Sequence, residues 1–513
     1  LRPFAQLVPL PQPLDQNHPM PNHSLFYQLV SLILVLVLGS CKKERPISQE
    51  EQLYQTYCAS CHLPPKIDAL PKHMWKNSVL PAMMELMDVE GMYQDPEWEP
   101  TGFRPQISLG DWAKLQRYIL ANAPEQLESI PMPKADTLMQ FASQPFMVDS
   151  LNGGMVTYLE FKNEPNQVYF GDLEGRLGYF DFTTKKVTQM FQGASPVTWF
   201  NEKDSIQFIN EVGIIHPSEQ KKGILFRNTP SDTTTITNDL HRPVHTLMED
   251  LNGDGKQELV VSEFGNKTGK LSLFKLNESG TYEKEVLLNL PGAIKTLAKD
   301  MDNDGKLDIV ALMTQSRESI TVFYQTADLV FEPRNILEFS PIYGTSWFEL
   351  VDYNGDGLDD IITVHGDNAD ISYVHKPYHG MRIFLNKGSD VYEEAYFYPL
   401  YGATRVLSRD FDQDGDIDFA VISTFPDYST FPERSFVYLE NNNSTDFDFT
   451  TNILEDPSLA RWFLMDASDV DNDGDEDIVL SSLTFGFTPV PEILTERWNT
   501  NNVDLLLLEN LLH

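Results

Sequence analysis

The chain has 513 residues, 41% of them apolar, with 38 Lys and Arg against 76 Asp and Glu, a net charge of -38. That length allows several domains and a sizeable core. That charge excludes nucleic acid as a partner, because such a field repels phosphate; it leaves a solvated acidic surface or carboxylates gathered around cations.

In chain order, the first informative stretch is "SLFYQLVSLILVLVLGSC", ending at Cys41. Its apolar run, 29–38, is too short to span a bilayer comfortably and fits the middle of a secretory signal. Leu38-Gly39-Ser40-Cys41 resembles a bacterial lipobox. The resemblance implies an exported lipoprotein, with membrane lipid on Cys41 and a place at the periplasmic or cell-surface face of the outer membrane. The alternative is an ordinary signal peptide with an incidental cysteine. Met20 stands just before the leader and the sequence begins at Leu1. Residues 1–19 therefore read as upstream translation, 20–40 as the signal and 41–47 as the lipidated tether.

"SQEEQLYQTYCASCH" reads as a short helix, capped by Ser48 with Glu51 completing a capping box. It leads into Cys58, Cys61 and His62. Two thiols separated by two residues and followed by His form the pattern of c-type haem attachment, with the imidazole as proximal iron ligand. A zinc site would need a second Cys/His pair at suitable spacing, and a redox dithiol would need a βαβ context; the sequence offers neither. Met83, in Leu80-Pro81-Ala82-Met83, is the chosen sixth ligand, with Met84, Met87, Met92 and His73 as alternatives. Met83 and Met87 also lie four apart, as core residues on one helical face would. "SLGDWAKLQRYILANAP" predicts a helix capped by Ser108 and Asp111, with Trp112, Leu115 and Ile119 on one face and a stop at Pro124. It is similar to the C-terminal helix of small cytochromes c. The resemblance implies a small all-α haem domain over 48–127 with covalent haem c. A linker, 128–134, carries Pro131 and Pro133 and reads as an extended, stiff spacer.

From 135 to 513 a repeat dominates. "DLNGDGKQEL", "DMDNDGKLDI", "DYNGDGLDDI", "DFDQDGDIDF" and "DVDNDGDEDI" begin at Asp250, Asp300, Asp352, Asp410 and Asp469, spaced 50, 52, 58 and 59 residues apart. A period near fifty signals a propeller or solenoid. Positions 1, 3, 5 and 9 supply side-chain oxygen and position 7 a carbonyl, a set that suits a hard cation; glycine at 6 permits the turn. The copies are Asp250, Asn252, Asp254, Lys256, Glu258; Asp300, Asp302, Asp304, Lys306, Asp308; Asp352, Asn354, Asp356, Leu358, Asp360; Asp410, Asp412, Asp414, Asp416, Asp418; and Asp469, Asp471, Asp473, Asp475, Asp477. An EF-hand begins alike but needs an acid at position 12, where Val261, Ala311, Thr363, Val421 and Leu480 stand in strand-like runs.

With about four short strands per repeat, these loops resemble the FG-GAP or VCBS repeats of integrin-α-like propellers. The resemblance implies about five structural Ca²⁺ sites. "NQVYFGDLEGRLGYFDF" and "SIQFINEVGIIHPSEQKKGILFRN" read as two further blades without the metal loop, seven in all. The last copy lacks an outer strand, so a segment near 136–142 is expected to close the ring.

Three insertions, 364–380, 425–435 and 484–499, follow the strand after a loop and should share one face. The first carries His365, Asp367, Asn368, Tyr373, His375, Tyr378 and His379. The reading is a multi-domain, membrane-anchored haem protein of electron transfer whose propeller docks a redox partner protein or a surface ligand such as carbohydrate. The alternatives are a haem-linked oxidoreductase or carbohydrate-active enzyme, and a surface adhesion lipoprotein. No catalytic residue is assigned.

Overall fold

The computed structural model describes residues 47–89 and 106–512, apart from 152, 163, 316, 368–372 and 487. The leader, Cys41, Met92 and Asn368 lie outside the described residues. The chain falls into two compact units, Leu1–Gln49 and Glu50–His513. Among the described residues no helix is long and apolar enough to cross a membrane.

The first described part is a small helical module. Helix α1 (Gln49–Cys58) starts directly after Ser48. A helical run from Lys72 ends in α2 (Leu80–Leu86), and α3 (Leu109–Asn122) follows. Pro81 explains a feature the sequence reading did not anticipate, the π-helical turn Trp75–Val79. A proline ring crowds the carbonyl four residues back and donates nothing to it, and widening the preceding turn relieves the clash. The Leu80 N–H accordingly bonds the Trp75 carbonyl, five residues back. Ser108 caps α3 as its sequence predicts, accepting from the Asp111 N–H at 3.1 Å. Trp112, Leu115 and Ile119 bury one face of that helix. They share a core with Tyr54, Leu70, Trp75 and Leu80, and the Tyr54 and Tyr118 rings meet at 6.4 Å where α1 crosses α3. The module is not purely helical: Asp88–Val89 and Gln106–Ile107 form a short parallel pair.

Seven radial sheets follow, each built on four antiparallel strands; in the first six these run in chain order from inner to outer strand. Blades 1 to 7 cover 156–192, 197–240, 243–288, 293–339, 345–399, 403–453 and 462–510. Each inner strand touches the next, and Trp462–Ser468 touches Val156–Phe161, so the ring is closed. The second strands of blades 3 to 7, such as Asp308–Met313 and Asp418–Ser423, are buried at every residue. A radial sheet has a neighbour on both faces, so after the leading acid these strands read as largely apolar runs rather than alternating ones.

Blade 7 takes its outer strand from the N-terminal side. Phe141–Phe146 pairs antiparallel with Leu505–Asn510, Phe141 opposite Asn510 and Phe146 opposite Leu505. The closing strand thus lies a few residues beyond the expected 136–142. Asp136–Thr137 instead adds a parallel edge to blade 6, opposite Asn452 and Ile453. The aromatic ends set this register. Phe141 packs against Phe411 and Tyr438, and Phe146 against Phe180 and Phe182.

Every Asp-rich loop joins an inner strand to a second strand, and every insertion joins a second strand to a third. The two sets therefore occupy opposite faces of the disc. The helical module rests on the insertion face. Tyr378 Oη donates to the Ala69 carbonyl at 2.9 Å, Lys267 pairs with Glu85, and Ile342 and Tyr343 enter the module's core. The linker does not stand free of the propeller. The Ile130 N–H reaches Tyr401 Oη at 3.4 Å, and Arg434 donates to the Pro133 carbonyl at 2.5 Å.

Candidate metal and cofactor sites

The five loops share one internal geometry. Positions 4 and 6 both take left-handed backbone: φ is 74° at Gly253 and 86° at Gly255, 62° at Asn303 and 87° at Gly305, 58° at Gln413 and 99° at Gly415. A Cβ on any glycine at position 6 would meet nothing within 4 Å, so conformation and not space selects glycine there. The acid at position 1 then faces inward and accepts backbone donors. Asp300 Oδ1 takes the Asp304 N–H at 3.1 Å, and Oδ2 takes the Gly305 N–H at 2.9 Å; the other loops repeat the second bond. The acid at position 5 accepts from the N–H at 7, as Asp356 does from Leu358 at 2.9 Å.

These turns gather charge. Asp300, Asp302 and Asp304 offer oxygens within 4.8 Å of one another, as do Asp410, Asp412 and Asp414, and Asp469, Asp471 and Asp477. Lys256 lies 3.2 Å from Asp254, and Lys306 likewise leans on Asp304; both lower the carboxylate they touch. The last three loops have no such lysine. Asp410 Oδ1 is buried without a hydrogen-bond partner. A clustered, acceptor-only oxygen set with an orphaned buried oxygen fits a hard cation.

Position 9 is a different kind of acid. Glu258, Asp308, Asp360, Asp418 and Asp477 are all buried. One oxygen accepts the N–H of loop position 2, from Leu251, Met301, Tyr353, Phe411 and Val470 at 2.9 to 3.1 Å. In blades 4 to 7 the other accepts the N–H of Gln325, Asn386, Asn441 and Asn510 on the third strand, each at 2.8 Å. Burial, with the neighbouring loop carboxylates, pushes Glu258, Asp418 and Asp477 up to about 7 and also raises Asp308 and Asp360. A cation beside them would reverse that pressure.

The third-strand amides were not singled out from the sequence, although "FYQ", "FLN" and "LEN" recur there. Their side chains clamp loop to sheet. Gln325 Nε2 donates to Leu307 O at 2.8 Å and, across the blade boundary, to Leu251 O at 2.9 Å. Asn510 Nδ2 donates to Glu476 O at 3.2 Å and to Phe411 O of blade 6 at 2.8 Å. The loops thus join blades as well as strands.

In the helical module, Cys58 ends α1 and is half-buried, while Cys61 is exposed. Burial pushes the Cys58 thiol up to about 12. His62 Nδ1 lies 2.9 Å from the Leu63 carbonyl. A carbonyl only accepts, so Nδ1 carries the proton of the neutral ring and Nε2 keeps its lone pair. Burial lowers the His62 pKa and favours that neutral form. Met83 and Met84 border the same apolar cluster as Cys58 and Tyr57, Met87 is buried within it, and His73 is exposed. Two thiols, a neutral imidazole with a free Nε2 and nearby thioethers fit the donor set of a covalently held haem.

The FG-GAP-like repeat family matches residues 300–363, which span the Asp300 loop, the rest of blade 4 and the start of blade 5. No curated protein matches the chain. Solved structures to which it is similar include the N-terminal domain of Nup159, at 11% identity and TM-score 0.41, covering 74% of this chain and 99% of that one. Others are the Pan2 WD40 domain of Neurospora crassa, at 12% identity and TM-score 0.38 over 69% of this chain and 88% of that one, and an auxiliary nutrient binding protein from Bacteroides thetaiotaomicron, at 12% identity and TM-score 0.34 over 53% and 67%. The strand order makes the protein a seven-bladed propeller, with an FG-GAP-like repeat at 300–363, whose faces can serve as a binding platform.

Proposed function

We propose that this chain is an exported, lipid-anchored c-type haem protein of electron transfer, with a calcium-stiffened propeller as its docking platform. The observation that carries the reading is the placement of Cys58 at the end of α1 and of Cys61 and His62 in the turn that follows, with His62 Nδ1 tied to a backbone carbonyl. Cys58 and Cys61 would hold the haem, and His62 Nε2 would ligate its iron, with Met83 as the sixth ligand and Met84 as its closest rival. When bound, the haem supplies one-electron redox chemistry, and thioether ligation would raise its potential. The chain's own part is to fix the imidazole and its tautomer, and to carry the module rigidly on the insertion face through Tyr378, Lys267 and the linker. Acidic loops on the opposite face would bind Ca²⁺, for which dissociation constants of about 10⁻⁴–10⁻³ M suffice outside the cell. Lipid on Cys41 would place the disc at the periplasmic or cell-surface face of the outer membrane.

The test is expression of the full chain with c-type maturation, followed by acid-acetone extraction and a pyridine spectrum. Colour should remain on the polypeptide and vanish in the double variant Cys58→Ala/Cys61→Ala. Pigment that washes out, or none at all, defeats the haem reading. Loss of the thioether-to-iron band in Met83→Ala but not in Met84→Ala would identify the sixth ligand.

A further inference from the structure

The core of the helical module is not built by the module alone. Ile342, in the segment that joins blade 4 to blade 5, is buried in the same apolar cluster as Tyr54, Trp75 and Trp112. Tyr343 and Tyr378 of the propeller pack against that cluster, and so do Tyr57, Cys58, Met83 and Met84 of the module. Propeller side chains therefore border the same core as a haem-attachment thiol and the two candidate thioether ligands.

These propeller residues are fixed from below. Glu318, buried at the start of the third strand of blade 4, accepts the Gly344 N–H at 3.1 Å, the Thr345 N–H at 3.0 Å and the Thr345 hydroxyl at 2.7 Å. Buried Lys376 donates to the Ile342 carbonyl at 3.2 Å. The Tyr343 and Tyr378 rings stack at 5.1 Å, 25° apart. Arg382 Cζ lies 5.0 Å from the Tyr343 ring, and its Nη2 donates to the Tyr378 carbonyl at 2.9 Å. A surface pinned in this way is already organised to face a large, flat apolar group.

Arg317 directly precedes Glu318. Its side chain keeps 47% of its exposure, and Nε stands 4.0 Å from Glu338 Oε1, an oxygen that already accepts from Asn335 at 2.7 Å. So long and exposed an ion pair contributes little. The charge of Arg317 also reaches His62, where it opposes protonation of the imidazole. In a chain of net charge -38, a cation beside the haem-binding histidine runs against the overall field. A positive neighbour favours the reduced form of a haem, and a dry apolar wall does the same.

We propose that the propeller is part of the haem site, with Tyr343 and its neighbours as one wall and Arg317 as the cation that raises the reduction potential. The proposal rests on the haem reading and adds to it the propeller's share of the site.

The test is redox titration of the full chain after c-type maturation. At low ionic strength Arg317→Gln should lower the midpoint potential, by about a threefold or larger change in the reduction constant, and the difference should shrink at about 1 M salt. Arg317→Lys should keep most of the potential. Both variants should melt with the unaltered chain, because the pair with Glu338 is weak. Tyr343→Ala should lower the potential at every salt concentration by letting water reach the haem, and Tyr343→Phe should not. Covalently held pigment whose potential moves in neither Arg317→Gln nor Tyr343→Ala overturns the proposal and leaves the haem reading standing. Absence of covalent pigment from the unaltered chain removes both.

Discussion

Asp504 shows how one side chain ties the pH response of this protein to its fold. It is buried where the third strand of blade 7 begins, and its Oδ2 accepts the Val148 N–H at 2.8 Å. Burial pushes its pKa up to about 7, helped by Asp149 and opposed by the Val148 bond and by Arg176. In the unfolded chain it would titrate in the usual carboxylate range, so between about pH 4 and 7 the folded state holds the extra proton. The stabilisation from the neutral acid is complete below the unfolded pKa and is lost as pH rises through the folded one. Asp504→Asn should therefore flatten the fall in stability between about pH 4 and 7, a difference on the order of 2 to 4 kcal/mol, read from denaturant unfolding at each pH. An unchanged pH profile would show that Asp504 is ionised throughout. Of the single residues, Ser108 and the stripe Trp112, Leu115 and Ile119 were legible because capping and helical period are local rules. The buried role of the acids at loop position 9 was not, because it depends on donors from a strand 17 to 33 residues later.

Among the elements, the Asp loops were the most legible, since a tight turn is specified within about nine residues by its own oxygens and its glycine. Even so, the left-handed residue at position 4 went unread. It is Gly253, Asn303, Gly355, Gln413 and Asn472, and all but Gln413 are types that adopt this conformation readily. If the loops bind Ca²⁺, adding it should raise the melting temperature of the full chain and a chelator should lower it. Gly305→Ala should blunt the shift and cost about 1 kcal/mol from the strained φ alone. A melting temperature indifferent to calcium and chelator would leave the loops as plain turns. Asn441→Leu tests the clamp. It removes a side-chain donor to Ile417 O at 3.0 Å and should cost about 1–3 kcal/mol by equilibrium unfolding, because a part-buried carbonyl is left without its partner. Elements shaped by a single awkward residue were harder to foresee. The π turn before Pro81 and the helix Glu492–Asn501 within the last insertion both arise where the chain must fit a neighbour.

For the molecule as a whole, closure of the ring is the decisive event. An open blade 7 would present the unpaired edge of Leu505–Asn510, and Phe141–Phe146 covers it from more than 350 residues away. Phe141→Ala removes a ring that meets Phe411 and Tyr438 at this seam and should cost about 3–5 kcal/mol, with light scattering setting in at lower temperature on heating. Unfolding and scattering like those of the unaltered chain would mean that the seam is held elsewhere.

The sequence by itself determined the number of blades, the five acidic loops and the helices around Cys58 and Trp112, because repeat period, turn chemistry and hydrophobic spacing act over short stretches of chain. Only the tertiary structure decided the register of the closing strand, the clamps between blades, the face on which the helical module sits and the entry of Ile342 and Tyr343 into its core. Each of those depends on which distant surfaces fit together once the sheets are packed, and packing complementarity leaves no periodic trace along the chain.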